Sequence, residues 1–460
     1  MANKLYEEND ISAIATAIRA KNGSSDTYTV SQMATAINNI PSGGGDVVNG
    51  LIENYKAVTS TIDANTFVEF VNLIGTDSDK QLSTGSHTNG YSSAVLVDTN
   101  KVFIAYSSVN YLYGVVCTIS GTTITAGTDT QLSTGSYTYG YSSAVLVDTN
   151  KVFIAHSGGN YLYGVVCTIS GTTITAGTDT QLSTVTSSHQ YSSAVLVDTN
   201  KVFIAHRNSS YLYGVVCTIS GTTITAGTDT QLSTVTSSYQ YSSAVLLDTN
   251  KVFIAHSGGE YLYGVVCTIS GTTITTGADT QLSTVIYSYT YTSAVLVDTN
   301  KVFIAHRNNR YLYGVVCTIS GTTITAGTDT QLSTGTDSYQ YSSAVLVDTN
   351  KVFIAHGCNN STLYGVVCTI SGTTIMAGID AKLSTDFNSH HYASAVLLDT
   401  NKVFITHRNS TSFDASAYLY GMVLSILDGT CAIESTSKID GLTKTSCTTS
   451  TAGQVWVLDN

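Results

Sequence analysis

The residues best suited to chemistry come as a repeated set. His156, His206, His256, His306, His356 and His407 each close the text KVFIAH or KVFITH, and Tyr106 holds the same place in the first copy. Histidine can ligate a metal, carry a proton or hydrogen-bond. A zinc site gathers three or four ligands around one ion, whereas these residues lie one per copy, about 50 residues apart. The spacing favours a repeated structural hydrogen bond, with ligand contact as the second reading, and neither a metal nor another cofactor is expected. Arg207, Arg307, Arg310 and Arg408 follow the histidines closely, where a guanidinium fork could meet an acidic ligand group. A second aromatic position holds Tyr139, His189, Tyr239, Tyr289, Tyr339 and His390, each two residues before Tyr141, Tyr191, Tyr241, Tyr291, Tyr341 or Tyr392. In extended chain such pairs point to one side, and paired rings suit stacking on sugar faces. The second, constant tyrosine is expected to pack between units with its hydroxyl bonded. The ligand-binding candidates are therefore Tyr139, His189, Tyr239, Tyr289, Tyr339 and His390, together with His206, Arg207, His306, Arg307, Arg310, His407 and Arg408.

No catalytic set accompanies them. The sequence contains no nucleophile elbow, phosphate-binding glycine loop or metalloprotease helix motif. An active site needs different residues converging once, and identical residues repeated seven times do not supply that, so no enzyme is expected. Cys117, Cys167, Cys217, Cys267, Cys317 and Cys368 are one position copied six times inside GVVCTIS, which reads as a buried thiol acting as a small hydrophobe. Asp98, Asp148, Asp198, Asp248, Asp298, Asp348 and Asp399 begin DTNK. That text lacks the alternating acids of a calcium loop, and a turn stabilised by its own side chain explains it.

The elements that carry these residues have four strand-like segments per unit. In the first unit they are SSAVLV (A, 92 to 97), KVFIAY (B, 101 to 106), YLYGVVCTIS (C, 111 to 120) and TTITAG (D, 122 to 127). A–B and C–D are joined by short turns at DTN and at Gly121, so both pairs read as hairpins. A and B are apolar on both alternating faces, as expected for a sheet covered on both sides. A four-stranded meander sandwiched between copies of itself is a propeller blade, and the dozen-residue D–A link suits a return from outer edge to inner strand. The expected fold is all-β, a seven-bladed β-propeller preceded by a small helical module. Eight blades are the competitor, because residues 442 to 460 resemble the start of an eighth unit and residues 66 to 73 read as a lone lead-in strand.

Units 131 to 180 and 181 to 230 differ at ten positions, all within 185 to 190 and 207 to 210 of the later copy. In a propeller meander the B–C and D–A links share one face, so both variable windows fall together. A constant scaffold with variable Tyr, Ser, Gly and Asn loops resembles a recognition surface; drift where packing permits it is the alternative.

Residues 1 to 45 read as a separate module of two short helices. The first starts after Asp10 with Ile11, Ile14 and Ile18 on one face; the second has capping-box spacing at Thr29 and Gln32 and ends at Pro41, the sole proline. Too small for a core of its own, the pair would bury its stripes against a second copy or a larger assembly. Residues 46 to 80 are linker and lead-in strand, 81 to 441 the seven repeats, and 442 to 460 a closing strand. The net charge is −12 and only 11% of residues are charged, so no basic field is available for nucleic acid or an anionic membrane. The acidic start MANKLYEENDISAI is unlike a signal peptide, and no stretch is long and apolar enough for a membrane span.

The stretch NDISAIATAIRAKNGSSDTYTVSQMATAINNIPSGGG, the following ANTFVEFVN, and the repeat text AVLVDTNKVFIAH with YLYGVVCTISGTTITAGT resemble tail and other minor structural proteins of phages and prophages of Gram-positive gut bacteria. The resemblance covers nearly the whole chain. It implies a virion component assembled in the host cytoplasm, attached to other virion proteins through residues 1 to 45, with the propeller facing a host surface glycan or protein. A purely structural decoration module is the alternative.

Overall fold

The computed structural model describes residues 73–76, residues 79–427 apart from the link tips (85–90, 109–110, 134–140, 185–191, 209, 237–240, 285–291, 309–310, 336–340, 359–361, 385–392 and 410–417), and strands at 437–439, 442–448 and 454–458. The helical module and residues 46–72 lie outside the described residues. Two compact units divide the chain, Ser78–Leu424 and a second made of Met1–Asp77 with Ser425–Asn460.

In the large unit every repeat forms one antiparallel sheet. The second blade is typical, with strands Ser142–Asp148, Lys151–Gly158, Tyr161–Ser170 and Thr173–Ala176 paired in sequence order. A fifth, two-residue strand, Thr180–Gln181, lies within the long link and pairs with Tyr163 and Gly164 beyond the short outer strand. The link is thus a clasp as well as a return. Gly171 makes the C–D turn with φ +63, a conformation open to glycine without strain. Gly164 has another reason: a Cβ there would meet Leu182 at 2.9 Å and Phe153 at 3.0 Å.

Alternation along each strand sends neighbouring side chains to opposite faces, and both faces are buried. Phe153, Ala155, Leu162, Val166 and Leu182 of one blade pack on Val202, Ile204, Val215, Cys217, Ile219 and Ile224 of the next. Full burial of each large side chain contributes about 1.5–3 kcal/mol, so the interfaces carry most of the stabilisation. The same interface closes the circle, with Leu82, Phe404, Leu419 and Val423 packed on Val102, Ile104, Tyr106, Val115 and Cys117. Lys80 and Gln81 clasp Gly421 and Tyr420. The seventh sheet is ordered Tyr418–Leu427, Lys402–Asn409, Ser394–Asp399. Of the lead-in strand expected at 66 to 73, only Leu73 is described. Gln454–Leu458 pairs with Leu442–Thr448, and Leu442–Thr448 with Ser437–Ile439, in a separate three-stranded sheet rather than an eighth blade.

Around the axis the inner strands are stitched by side chains. The amide of Ala144 donates to Ser93 Oγ at 2.9 Å, and Ala194, Ala244, Ala294, Ala344 and Ala395 donate likewise to Ser143, Ser193, Ser243, Ser293 and Ser343. Ala94 donates to Ser394 Oγ at 3.0 Å, which completes the circle. The serine one place earlier faces the other way. Ser92 Oγ bonds Thr406 Oγ1 at 2.8 Å, but the other blades have alanine at the Thr406 position. The hydroxyls of Ser142, Ser192, Ser242, Thr292 and Ser342 are accordingly buried without a hydrogen-bond partner among the described residues. Removing one partner of such a pair costs about 1 kcal/mol. Thr406→Ala is expected to lower the unfolding free energy by about that much, measured by urea denaturation, whereas Thr400→Ala at an exposed turn should cost less than half of it.

Candidate functional site

The two ends of the ring differ in kind. At one end lie the A–B and C–D hairpins, whose turn sequences, DTN and SGT, are constant through the first six units. Asp148 there accepts from the Thr149 amide at 2.8 Å and meets Lys151 Nζ at 2.7 Å; the Lys151 hydrogen bond, then the Thr149 amide, hold its carboxyl below the usual range. This is the side-chain-stabilised turn expected of DTNK. At the other end lie the B–C and D–A links, and they touch: the Gly259 amide of one variable window donates to the Thr236 carbonyl of the other at 2.7 Å.

The histidines stand one layer beneath that end. His206 is fully buried, with Nε2 donating to Asp229 Oδ1 at 2.8 Å and Nδ1 lying 3.3 Å from the Arg207 carbonyl oxygen. His156, His256, His306 and His356 meet Asp179, Asp279, Asp329 and Asp380 in the same way, and His407 meets Asp79. In the first blade the Tyr106 hydroxyl donates to Asp129 at 2.6 Å, so a phenol replaces the imidazole on the same acceptor; burial first, then this bond, push its pKa up. The other carboxylate oxygen accepts from the preceding blade: Ser183 Oγ donates to Asp229 at 2.6 Å, Ser233 to Asp279 at 2.8 Å and Ser283 to Asp329 at 2.5 Å, while Ser133 pairs with Asp179. Asp179, Asp229, Asp279 and Asp329 therefore each latch two blades. The set contains Ser, His and Asp, with both the imidazole and the serine hydroxyl directed to the carboxylate.

Of the ligand candidates, His206, His306 and His407 thus spend their ring nitrogens inside the scaffold. Arg207 is almost buried, and Arg307 and Arg408 are partly buried. Tyr139, His189, Tyr239, Tyr289, Tyr339, His390 and Arg310 lie outside the described residues. The six repeated cysteines are buried free thiols, and burial pushes Cys217 up to about 12, as a hydrophobic role requires. One feature was missed by sequence reasoning: the aspartate of TDTQLS, although its place in repeated text was a signal. The constant tyrosine packs between neighbouring blades as expected at Tyr91 and Tyr141, whose ring centroids are 3.8 Å apart, and it also reaches the axis. Tyr91, Tyr141, Tyr241 and Tyr341, half-buried, line a well of about 220 Å³ on the axis, with Ser92, Ser142, Ser192, Ser242, Thr292, Ser342 and Ala393 beneath them. Every blade contributes. Tyr91 and Tyr141 share a hydrogen bond of 2.6 Å between their hydroxyls, and the Tyr91 and Tyr341 rings meet edge to face with centroids 6.2 Å apart.

Seven sheets ordered around one axial well settle the architecture. The chain is a seven-bladed β-propeller. No family model matches it, and no curated protein does. Solved propellers align over most of their length. A protein of unknown function from Dyadobacter fermentans gives a TM-score of 0.50 at 12% identity, covering 77% of this chain and 99% of its own. A polysaccharide lyase, an ulvan lyase bound to -[GlcA(1-4)Rha3S]-, gives 0.51 at 10% identity, covering 74% and 94%. The Aleuria aurantia lectin in complex with Fucα1-6GlcNAc gives 0.43 at 11%, covering 66% and 99%. At these identities the likeness is one of fold.

The latch also makes the propeller acid-sensitive. Burial raises the pKa of Asp279, but the hydrogen bond and charge of His256, with Ser233, outweigh it and leave the carboxyl below its ordinary 3.8. A depressed carboxylate contributes stability that is present above the unfolded pKa and lost as pH falls through the folded one. Stability should therefore drop below about pH 4. Asp279→Asn is expected to cost about 1–3 kcal/mol at neutral pH and to flatten that acid limb, read from denaturation midpoints between neutral pH and pH 3.

Proposed function

We propose that the propeller recognises glycans on a bacterial surface through the end that carries its B–C and D–A links, as the host-facing part of a phage tail protein. The observation that carries the reading is the placement of variation: the ten substitutions separating units 131 to 180 and 181 to 230 fall in two links that meet at one end, while hairpins and interfaces stay constant. Tyr, Ser, Gly and Asn recur in those windows, residues that give contact area and adaptable hydrogen bonds at low entropic cost. Further support comes from a propeller of the same fold named as an ulvan lyase and holding a saccharide. Binding without turnover fits seven near-equivalent positions, since weak sugar contacts gain by multiplicity when several engage one polymer.

The phage setting rests on the resemblance of residues 9 to 45 and of the repeat text to tail and minor structural proteins of Gram-positive phages. Under this reading residues 1 to 45 attach the chain to the particle, the protein is assembled in the host cytoplasm, and it resides in the virion tail. The test uses the labelled full chain on a panel of Gram-positive strains, before and after periodate oxidation of their glycans. Strain-selective binding that periodate abolishes, and a changed strain pattern when windows 185–190 and 207–210 are copied into the other blades, are the expected results. Binding to no strain by a folded chain would favour a structural decoration part instead, and binding indifferent to periodate would favour a protein receptor.

A further inference from the structure

We propose that the clefts between the outer edges of neighbouring blades are saccharide subsites, each holding a neutral sugar unit. The proposal rests on the glycan reading above and places that ligand against the scaffold as well as the links. The cleft between the second and third blades has a volume of about 550 Å³, within the roughly 300–1,000 Å³ of small-molecule sites. One wall is Gln181, Leu182, Ser183 and Thr184, clasped to the second blade through Tyr163 and Gly164; the other is Ala226, Gly227, Thr228 and Asp229 of the third. Gln181, Thr184 and Thr228 are exposed, and Thr184 leads directly into the variable window 185–190. A second observation points to the same place. Outside the two windows the first six units are nearly identical, yet Thr276 replaces alanine at the position of Ala226, and Ala278 and Ile379 replace threonine at that of Thr228. Exposure alone does not explain this, because the exposed turns at 98 to 100 and 120 to 122 keep their sequence in all six units.

The lining matches both faces of a sugar ring. Asp229 brings a carboxylate held by His206 at 2.8 Å and Ser183 at 2.6 Å, with 14% of its side chain exposed. A carboxylate has about four acceptor sites. At the closing boundary Thr84 donates to Asp129 Oδ2 through its amide at 2.9 Å and its hydroxyl at 3.1 Å, while the Tyr106 hydroxyl donates to Oδ1 at 2.6 Å. Oδ1 is thus the oxygen with room for a ligand hydroxyl. Thr184 and Thr228 add hydroxyls that can donate or accept, and Gln181, whose Nε2 donates to the Ser183 carbonyl at 2.9 Å, adds its Oε1. Leu182 and Ala226 supply carbon for the C–H face of the ring. A fixed carboxylate and a net charge of −12 repel an anionic polymer, so the ligand class is a neutral saccharide. The latch holds Asp229 in place before binding, which limits the ordering cost. Ile379, 70% exposed, stands where four units carry threonine and would meet a deoxy carbon or an acetyl methyl in its own cleft. Recurrence of the wall text at other boundaries lets one polymer engage several clefts.

The probe is the wall polysaccharide released from a strain that the full-length chain binds, separated by ion exchange into neutral and anionic fractions and titrated by calorimetry. The neutral fraction is expected to carry the binding and to slow amide hydrogen exchange in the stretches 181–184 and 226–229 of the unaltered chain. Filling four clefts at once, with Thr128→Trp, Thr178→Trp, Thr228→Trp and Thr328→Trp, should weaken binding at least about tenfold; Ile379 shows that the position accepts bulk. Thr99→Trp, Thr149→Trp, Thr199→Trp and Thr299→Trp, at exposed turns of the other end, should together stay within about threefold. Thermal unfolding verifies the fold of each variant. Binding carried by the anionic fraction, a folded cleft variant within threefold of the unaltered chain, or no slowed exchange in either stretch would each overturn the cleft assignment. If copying windows 185–190 and 207–210 still changes the strain pattern in that case, the loop reading stands without it. Binding to no strain by the folded chain, or binding indifferent to periodate, would overturn both.

Discussion

Each inner strand hands one backbone amide to a serine of the blade before it, from Ala94 on Ser394 round to Ala395 on Ser343, and the chain can satisfy this arrangement only by closing. A blade whose two faces are both apolar cannot exist alone in water. It needs a neighbour on each side, and seven such needs are met at once when the last blade meets the first across Phe404, Leu419 and Val102. The serine-to-alanine bonds add register to that packing: sliding one strand by a residue would exchange the faces of its side chains and leave the amide and the hydroxyl unpaired. Identity between repeats follows from this, because every interface must fit both of its neighbours.

What the interfaces fix, the links are free to vary. The latch of His206, Asp229 and Ser183 shows where the boundary lies. Below it, invariant side chains hold neighbouring blades together; above it, the chain runs through windows whose composition changes from unit to unit. The exchange of His for Tyr106 keeps the bond to Asp129 and so marks the chemistry that matters there, a donor of sufficient length reaching a carboxylate. The constant tyrosines belong to the varied end yet recur in every unit, and Tyr91 and Tyr141 pack on each other across two blades with their hydroxyls bonded.

Much of the fold is legible in the sequence. Period-two alternation, the DTN and Gly121 turns and apolarity on both faces give strands A to D, and the repeat length with mutual covering gives a propeller. The cysteines and the aspartates of DTNK are legible because their neighbours lie in the same strand or turn. What stays hidden depends on partners far along the chain or on another blade. Asp229 meets a histidine 23 residues before it and a serine 46 residues before it; Thr406 meets Ser92 across the closure; and the two-residue clasp has no pattern of its own. Closure by Lys80 and Gln81 on Tyr418–Leu427 was not legible from counting strands, which left two in surplus. The packing of the constant tyrosines across blades was legible, but only the convergence of inner strands puts them on the axis as well.

The central claim is that the ring is closed and behaves as one cooperative unit. Native-state hydrogen exchange of the seven amides of Ala94, Ala144, Ala194, Ala244, Ala294, Ala344 and Ala395 tests it directly, because each opens only when its interblade bond breaks. Closure predicts a common exchange free energy for all seven, equal to that of global unfolding and varying with denaturant in the same way. Exchange of Ala94 or Ala395 faster by orders of magnitude than that of Ala244 would mean that the first and last blades part independently, and would contradict the account.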